Sequence, residues 1–249
     1  MATLKEQNQK TFRLKQHQWG MVVDEDRCTG CEACVLACHA ENNIATVGDG
    51  EAARGRAMHW IRIERYYEGN FPDVQVKYHP VFCQQCGNAP CEVVCPTYAS
   101  YHNAEGLNAQ IYNRCIGTRY CGNACPFEER FFNFTNPAWD KPLELQLNPD
   151  VSVRSVGIME KCTFCIQRIK AAEIKAEAEK RQLKDGEFSP ACVQSCPTEA
   201  LVFGDLNDPE SKVSRLSSSN RGAKLFEDLG TKPSVTYLRR GTWYDEQNT

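Results

Sequence analysis

The chain has 249 residues and a formal net charge of −3, from 29 basic and 32 acidic side chains. This near balance does not predict a nucleic-acid partner, and no apolar run reaches the roughly 18 residues needed to cross a bilayer. Its 15 cysteines are odd in number and fall into four groups. Grouped cysteines in odd number favour metal binding over a disulfide framework.

The first twenty residues are polar and contain charged side chains throughout, without an apolar core. This pattern predicts neither a signal peptide nor a twin-arginine leader. We therefore expect residues 1–19 to form an N-terminal arm. A chain without a leader or a membrane span should reach a membrane only through another subunit.

The first cysteine group follows a predicted strand, Trp19–Val23, and precedes a predicted helix, Val35–Asn42. Its sequence from Cys28 to Cys38 is C-x2-C-x2-C-x3-C, the spacing that wraps a cubane iron–sulfur cluster. The first three thiolates bind one cluster, and the fourth binds a different one. Structural zinc is the alternative, but zinc loops usually contain two paired cysteines. The spacing therefore predicts iron–sulfur clusters.

A loop and a hairpin are predicted next. Gly48–Gly55 is polar and glycine-rich, which predicts a loop. Polar and apolar residues alternate along Trp60–Tyr66 and along Val74–Tyr78, with Glu68–Asn70 between them. This alternation predicts a β-hairpin inserted between two cysteine groups.

Two further cysteine groups end in a Cys-Pro pair. The second group has x2, x4 and x3 spacing and consists of Cys83, Cys86, Cys91 and Cys95. The third group consists of Cys115, Cys121 and Cys125. When the spacing of the first group is laid over the third, the missing second cysteine falls on Thr118.

The fourth group is split: Cys162 and Cys165 lie far before Cys192 and Cys196, and the last is again followed by proline. The recurring Cys-Pro ends indicate internal repeats. Before this group, we expect an irregular loop over Asn136–Pro149, because prolines interrupt this segment.

A long helix and a tail complete the predicted elements. Ile166–Leu183 predicts the helix, with Ile166, Ile169 and Ile174 on one side and a stop at Gly186. Beyond Phe203 we expect extended chain with a flexible bend at the serine run 217–219. The predicted organisation is a four-cluster ferredoxin-like domain over residues 20–210 and an extended C-terminal tail over residues 211–249.

The four groups together resemble the four-cluster iron–sulfur subunits of the complex iron–sulfur molybdoenzyme family, which serve dimethyl sulfoxide, polysulfide and nitrate reductases. Asn113–Cys121 and Glu160–Cys165 are most similar to the iron–sulfur domain of alternative complex III and the iron–sulfur subunit of the quinone reductase complex of sulfate reducers. The resemblance covers about Gly20 to Asp208. It implies an α+β fold of two bacterial ferredoxin-like halves related by a pseudo-twofold axis, with an inserted β-hairpin, a long helix and an extended C-terminal tail.

The family's crossed pairing implies four cluster sites. Sites I to III would each hold a [4Fe-4S] cluster, and site IV a [3Fe-4S] cluster. Site I would be Cys28, Cys31, Cys34 and Cys196; site II Cys38, Cys162, Cys165 and Cys192; site III Cys83, Cys86, Cys91 and Cys125; site IV Cys95, Cys115 and Cys121. This assignment leaves none of the 15 cysteines free.

Two positions depart from the ferredoxin pattern. At Thr118 a hydroxyl would replace a thiolate, and a hydroxyl is a poor iron ligand because its pKa is far above that of a thiol. We therefore expect a vacant corner in site IV; the alternative is a [4Fe-4S] cluster with water or the Thr118 oxygen at that corner. His39 follows Cys38 where proline would be expected, and we expect it to be a solvated or hydrogen-bonded helix residue, not a ligand.

The resemblance implies a non-catalytic electron-transfer subunit of a membrane-associated quinone oxidoreductase complex in the respiratory chain. Its partners would be a polytopic quinone-binding membrane subunit, a large molybdopterin-type or related subunit, and a multihaem c-type cytochrome. The [3Fe-4S] cluster would lie nearest the membrane. The chain would be peripheral on the periplasmic face of the cytoplasmic membrane, exported with a partner; the alternative is the cytoplasmic face.

A second hypothesis is the electron-transfer subunit of a true molybdenum reductase or dehydrogenase, such as one acting on sulfur oxyanions. A self-contained enzyme is disfavoured, because the sequence contains no nucleophile–base constellation and no phosphate-binding glycine loop.

Overall fold

The computed structural model of the protein describes residues 17–240, in which short strands and helices alternate. The strands are β1 (Trp19–Asp24), β2 (Ile61–Glu68), β3 (Gln75–Phe82), β4 (Ser100–His102), β5 (Asn108–Gln110), β6 (Phe131–Phe132), β7 (Met159–Glu160), β8 (Leu201–Asp205), β9 (Gly222–Ala223) and β10 (Val235–Leu238). The α-helices are α1 (Ala33–Glu41), α2 (Asp49–Ala52), α3 (Pro90–Val93), α4 (Tyr120–Asn123), α5 (Ile166–Ala178), α6 (Ala191–Gln194) and α7 (Lys212–Ser217). Short 3-10 helices span Tyr112–Arg114, Leu143–Gln146 and Glu227–Leu229. This is the mixed α and β composition that the sequence predicted.

The largest sheet has the strand order β8-β1-β10-β9. Strand β1 pairs antiparallel with β8 and parallel with β10. Both faces of β1 are covered, since Trp19, Met21 and Val23 pack in the main core while Val22 packs with Val213 of α7 on the other side. A strand covered on both faces is apolar at successive positions, as β1 is.

The predicted hairpin is present. Strands β2 and β3 pair antiparallel in register from Ile61 opposite Phe82 to Glu68 opposite Gln75. Both strands extend further than predicted: β3 reaches Phe82, whose side chain is 2% exposed. The hairpin therefore reaches from the surface into the core and ends directly before Cys83.

The helix predictions need three corrections. The segment predicted as a loop, Gly48–Gly55, contains the single turn α2. Helix α5 ends at Ala178, before the predicted end at Leu183. Its buried face runs through Ile169 and Ala176, which are seven residues apart and so share a helix face, whereas Ile174 lies well round the helix and is 67% exposed. Within residues 17–240, no helix combines the length and the apolarity needed to span a membrane.

Two irregular segments also differ from prediction. The proline-containing loop Asn136–Pro149 includes a 3-10 turn at Leu143–Gln146. The segment predicted as an extended tail with a serine bend instead forms α7, β9 and β10. Strand β10 is buried along its length and occupies an inner position of the main sheet. The prediction failed because the serine run that suggested flexibility ends a short helix, where the Ser217 and Ser218 hydroxyls donate to the Ser214 carbonyl at 2.9 and 3.0 Å.

Two predicted segments lie partly outside the described residues. Residues 1–16 of the predicted N-terminal arm and residues 241–249 of the predicted tail are not among them. At the start of the described chain, His17 Nδ1 and Asp205 Oδ2 are 2.8 Å apart, and the Gln18 N–H donates to Asp205 Oδ1 at 2.9 Å. These bonds join the chain before β1 to the end of β8.

Candidate metal centres

All 15 cysteines lie within the described residues, and none forms a disulfide. Most sulfurs are partly or fully buried, while Cys31 is exposed. No three metal-binding side chains in residues 17–240 converge closely enough to hold one metal ion. In an iron–sulfur cluster each thiolate binds a different iron atom, so the sulfurs surround the cluster without converging on one point.

The backbone of the first motif follows a tight loop. Gly30 has φ 69° and Glu32 has φ 60°, and helix α1 begins directly afterwards at Ala33. A Cβ atom on Gly30 would lie 2.5 Å from the Tyr78 ring, so only glycine combines this left-handed conformation with such close packing. The loop thereby presents Cys28, Cys31 and Cys34 at the start of the helix.

The third motif repeats this backbone. Gly117 has φ 73°, Arg119 has φ 63°, and helix α4 begins at Tyr120. Thr118 stands between the two left-handed residues, as Cys31 does in the first motif. The local conformation therefore supports the alignment of Thr118 with a ligand position.

The three Cys-Pro ends also share a conformation. The third residue after each final cysteine, namely Tyr98, Glu128 and Glu199, has φ between 51° and 56°. At two of these turns a backbone N–H donates to the cysteine sulfur: Ala99 to Cys95 at 3.2 Å, and Ala200 to Cys196 at 3.3 Å. Amide donors of this kind are typical of the surroundings of cluster sulfurs.

The end of the first motif lacks this turn. Cys38 lies inside α1, and His39 follows it in the helix. His39 Nε2 lies 3.0 Å from His59 Nδ1, so it is a hydrogen-bonded helix residue as predicted. Burial and the charge of His59 lower the pKa of His39.

The structure places the predicted site I thiols together. Burial raises the pKa of Cys34 to about 12, and the charges of Cys28, Cys196 and Cys31 also raise it. Cys196 is far from the other three in sequence. Helix α1 packs against α6, which lies directly before Cys196, and this contact joins the two segments.

The site II thiols also meet. Burial raises the pKa of Cys38 well above its ordinary value, and the charges of Cys162, Cys165 and Cys192 raise it further. The amide nitrogen of Asn42 lies 3.5 Å from the Cys38 sulfur and 3.8 Å from the Cys165 sulfur. One amide therefore joins thiols from two motifs.

Site III joins the second motif to the end of the third. Burial raises the pKa of Cys86 to about 12, with further contributions from Cys83, Cys91 and Cys125. Burial likewise raises the pKa of Cys125 to about 11, and the charges of Cys83 and Cys91 add to this shift. Helices α3 and α4 pack against each other and place these thiols side by side.

Two of the three site IV thiols lie together. Burial raises the pKa of Cys121, and the charge of Cys115 contributes to that increase. The Cys115 sulfur accepts a hydrogen bond from the Met159 N–H at 3.4 Å. For Cys95, burial alone would raise the pKa, but hydrogen bonds from neighbouring backbone N–H groups lower it. The assignment of Cys95, Cys115 and Cys121 to site IV stays a prediction, as do the ligand sets of sites I to III.

Thiols of different sites also interact. Cys34 of site I raises the pKa of Cys192 of site II, after burial and the nearer thiols. Cys83 of site III raises the pKa of Cys162 of site II, after burial. Cys91 of site III raises the pKa of Cys121 of site IV, after burial. These charge interactions link site I to site II, site II to site III, and site III to site IV, while the order of the clusters stays a prediction.

Two polar residues at the sites have no signal in the cysteine spacing. Arg130 is 8% exposed and donates from Nη2 to the Cys91 sulfur at 3.0 Å. The Lys161 side chain is fully buried, and its ammonium group donates to the Cys162 carbonyl at 2.6 Å. The sequence shows both basic residues near cysteine motifs, but their burial, and the contact of Arg130 with a sulfur, depend on tertiary packing.

These residues fit iron–sulfur clusters. Buried thiolates in one place repel each other, as the raised pKa values show, and a cation must offset that repulsion for all to ionise. The left-handed loop residues and the N–H donors supply the backbone geometry and hydrogen bonds such clusters require. The fold and the cysteine loops thus define an iron–sulfur protein with ferredoxin-like motifs.

Comparison with known proteins supports this class. Residues 27–99 match the family described as the 4Fe-4S dicluster domain. The chain is 44% identical over 239 residues to the menaquinone reductase iron–sulfur cluster-binding subunit of Nitratidesulfovibrio vulgaris, covering 94% of this chain and 92% of that protein. It is 37% identical over 246 residues to the Hdr-like menaquinol oxidoreductase iron–sulfur subunit 1 of Archaeoglobus fulgidus, covering 91% and 85%.

A further relative comes from a different reductase. The chain is 36% identical over 248 residues to the arsenate respiratory reductase iron–sulfur subunit of Shewanella sp. (strain ANA-3), covering 88% of this chain and 95% of that protein. The protein therefore belongs to the family of iron–sulfur subunits of complex iron–sulfur molybdoenzymes and related quinone oxidoreductases. It binds iron–sulfur clusters.

Proposed function

We propose that this protein is the electron-transfer subunit of a membrane-associated quinone oxidoreductase complex, with three [4Fe-4S] clusters at sites I to III and one [3Fe-4S] cluster at site IV. The observation that carries the proposal is the packing of cysteines from distant motifs in shared cores. One core contains Cys34, Cys38, Cys162, Cys192 and Cys196, and the other contains Cys86, Cys91, Cys115, Cys121 and Cys125. Charge interactions between thiols of neighbouring sites support the same arrangement. A series of adjacent cluster sites suits electron transfer from the first site of the series to the last. The repeated loop conformations support two pseudo-twofold-related halves.

Each cluster supplies a one-electron redox centre, and the protein supplies its position, insulation and potential. The loops around Gly30 and Gly117 orient the thiolates, and the helix contacts α1–α6 and α3–α4 bring distant motifs together. N–H donors to Cys95, Cys115 and Cys196 stabilise negative charge on the sulfurs. These loops, helices and N–H donors would position the clusters and take part in no bond-making step, so we assign no catalytic residue.

The likeness to a menaquinone reductase subunit supports quinone as the electron donor or acceptor. At site IV, Thr118 is exposed between Ile116, which is 66% exposed, and Tyr120, which is 62% exposed. Apolar side chains around an exposed end of the series suit contact with a polytopic quinone-binding membrane subunit. At the other end, exposed Cys31 and Leu36, which is 72% exposed, suit contact with a large molybdopterin-type subunit or a multihaem c-type cytochrome.

We place the complex on the periplasmic face of the cytoplasmic membrane, with this protein peripheral and exported together with a partner. The second candidate is the electron-transfer subunit of a true molybdenum enzyme, and the likeness to an arsenate respiratory reductase subunit supports it. Both candidates use the same cluster relay and differ in the subunit that receives or supplies its electrons.

Purification of the intact complex through an affinity tag on this protein tests the proposal. We expect mass spectrometry to identify a polytopic subunit and a haem protein, and metal analysis to show iron without stoichiometric molybdenum. Addition of menaquinol should reduce the clusters, as followed by electron paramagnetic resonance. Stoichiometric molybdenum would favour the second candidate, and clusters that exchange no electrons with quinone would contradict the first.

A further inference from the structure

Arg130 is a buried cation between two cysteine sets. It precedes β6, and its guanidinium Nη2 donates to the Cys91 sulfur at 3.0 Å and to Asn108 Oδ1 at 2.8 Å. The same nitrogen donates to Ser100 Oγ, and Nη1 donates to Gln110 Oε1 at 3.0 Å. These partners, on β4, β5 and α3, hold the guanidinium in one orientation.

Within the described part of the chain, the charge of Arg130 has no carboxylate partner. All the oxygen acceptors of its hydrogen bonds are neutral, and within residues 17–240 no Asp or Glu forms an ion pair with it. Glu129, the neighbouring acid, pairs with Arg62 instead. A buried charge is costly unless something opposite in sign offsets it. The acceptors left to balance Arg130 are the thiolates.

Arg130 acts on thiols of two sites. Although burial raises the pKa of Cys121 of site IV, the charge of Arg130 and a hydrogen bond from it lower that pKa. In return, although burial lowers the pKa of Arg130, the charges of Cys91, Cys121 and Cys83 raise it. The guanidinium thus contacts Cys91 of site III, and its charge also acts on Cys121 of site IV, which packs in the same core cluster as Cys91.

We propose that Arg130 is a positioning residue that holds a permanent positive charge between sites III and IV and raises the reduction potentials of both clusters together. This inference rests on the proposed four-cluster relay. A reduced cluster carries one more negative charge than the oxidised one, so a nearby cation stabilises the reduced form. The interaction is stronger in a buried site than in water, because the surroundings screen it less. A shift shared by both sites raises them relative to sites I and II and leaves the difference between their own potentials unchanged.

Redox titration of the intact complex, followed by electron paramagnetic resonance, tests this role. In Arg130→Gln we expect the reduction equilibrium of the [3Fe-4S] cluster and of one [4Fe-4S] cluster to fall at least tenfold, which is a shift of about 59 mV for a one-electron couple. The other two clusters should keep their potentials. A purely structural role for Arg130 would alter iron content or stability without this paired shift.

A second variant keeps Arg130 and every sulfur contact. Gln110→Glu places a carboxylate of nearly the same shape 3.0 Å from the guanidinium and cancels its charge. We expect the same two clusters to shift downward, and this variant decides the question if Arg130→Gln fails to assemble clusters. Arg168→Gln is the matched control, since Arg168 pairs with Glu41 beside site II and should leave the site III and IV potentials unchanged.

The inference is overturned if the potentials stay constant in both variants at normal iron content, or if only one cluster moves. Failure of the proposed function has a different signature, because the unmodified complex would then lack the cluster signals or their reduction by menaquinol.

Discussion

Thr118 occupies the position in the third motif that Cys31 occupies in the first, between a left-handed glycine and a left-handed charged residue. If a corner iron is absent from site IV only for want of a thiolate, Thr118→Cys should convert the [3Fe-4S] cluster to [4Fe-4S]. We expect loss of the paramagnetic signal of the oxidised three-iron cluster, gain of about one iron atom per chain, and a lower potential, because the added thiolate is negative.

Two matched variants serve as controls for the Thr118→Cys prediction. Thr118→Ser keeps a hydroxyl and should retain the three-iron signal. Cys31→Thr makes the reciprocal change and should create a second three-iron cluster at site I, since the loop backbone is the same. An oxidised wild-type complex without the three-iron signal would refute the vacant corner at Thr118.

Lys224 is a partly buried lysine whose pKa is lowered to about 8 by burial, against a small opposing effect of Glu227. Its ammonium group donates to Thr236 Oγ1 at 2.6 Å. In the unfolded chain lysine titrates near its ordinary value, about 10.4. Between pH 8 and that value the unfolded state binds more protons, so stability rises with pH; below pH 8 the full burial penalty is present.

Lys224→Met should therefore stabilise the protein most below pH 8, by roughly 2–3 kcal/mol at most, with the advantage shrinking towards pH 10. The temperature at which cluster absorbance is lost, measured from pH 7 to pH 10, gives the comparison. Lys180→Met, at an exposed position after α5, is the control without a burial penalty. An advantage of Lys224→Met that stays constant with pH would contradict the assignment.

Strand β10 links the end of the chain to the cluster region. Its residue Tyr237 is 2% exposed; the hydroxyl donates to the Pro80 carbonyl at 3.0 Å and accepts from Gln84 Nε2 at 3.1 Å. On the same segment, Ser234 donates from its N–H to the Gln84 carbonyl at 2.9 Å. These bonds fix the chain on both sides of Cys83 against the main sheet, so β10 supports site III as well as the sheet.

Tyr237→Phe should lower the free energy of unfolding by about 1–3 kcal/mol, because two buried polar partners lose their hydrogen bond. Truncation after Gly230, which removes β10, should cost far more and reduce the iron content, because β1 then loses its parallel partner. Iron analysis and thermal midpoints measure both effects. Full iron content in the truncated chain would show that β10 is dispensable for the sites.

At the scale of the whole molecule, the proposed clusters would join segments that are distant in sequence, such as those of Cys28 and Cys196. The buried thiols of each set raise one another's pKa values, so they repel each other once they are ionised. We therefore expect about 15 iron atoms per chain in the intact complex, with negligible zinc, by the cluster types assigned. Removal of iron should make the described domain protease-sensitive, since thiolate repulsion and lost crosslinks both favour unfolding.

Limited proteolysis of the protein produced with and without cluster assembly tests this expectation. Equal resistance of the two forms would contradict clusters that join distant motifs. Stoichiometric zinc, or iron sufficient for only two clusters, would contradict the four-cluster assignment.

Features that depend on neighbouring residues could be predicted from the sequence. Cluster motifs are short loops, so the cysteine spacing from Cys28 to Cys38 and the missing cysteine at Thr118 could be recognised without a structure. The alternation of polar and apolar residues likewise predicted the hairpin of β2 and β3. The resemblance to a known family, which the relatives confirm, added the crossed pairing. That pairing could not be worked out from spacing, because ligand spacing does not say which loops meet.

Features that depend on distant contacts could be seen only in the folded protein. Only packing shows that Cys38 lies beside Cys162, that Arg130 contacts a sulfur, and that residues 235–238 form an inner strand. The segment that includes β10 looked extended because a short buried strand gains its hydrogen bonds and its burial from another strand. Arg130 had no signal for the same reason: an arginine becomes a fixed buried charge only when remote acceptors surround it.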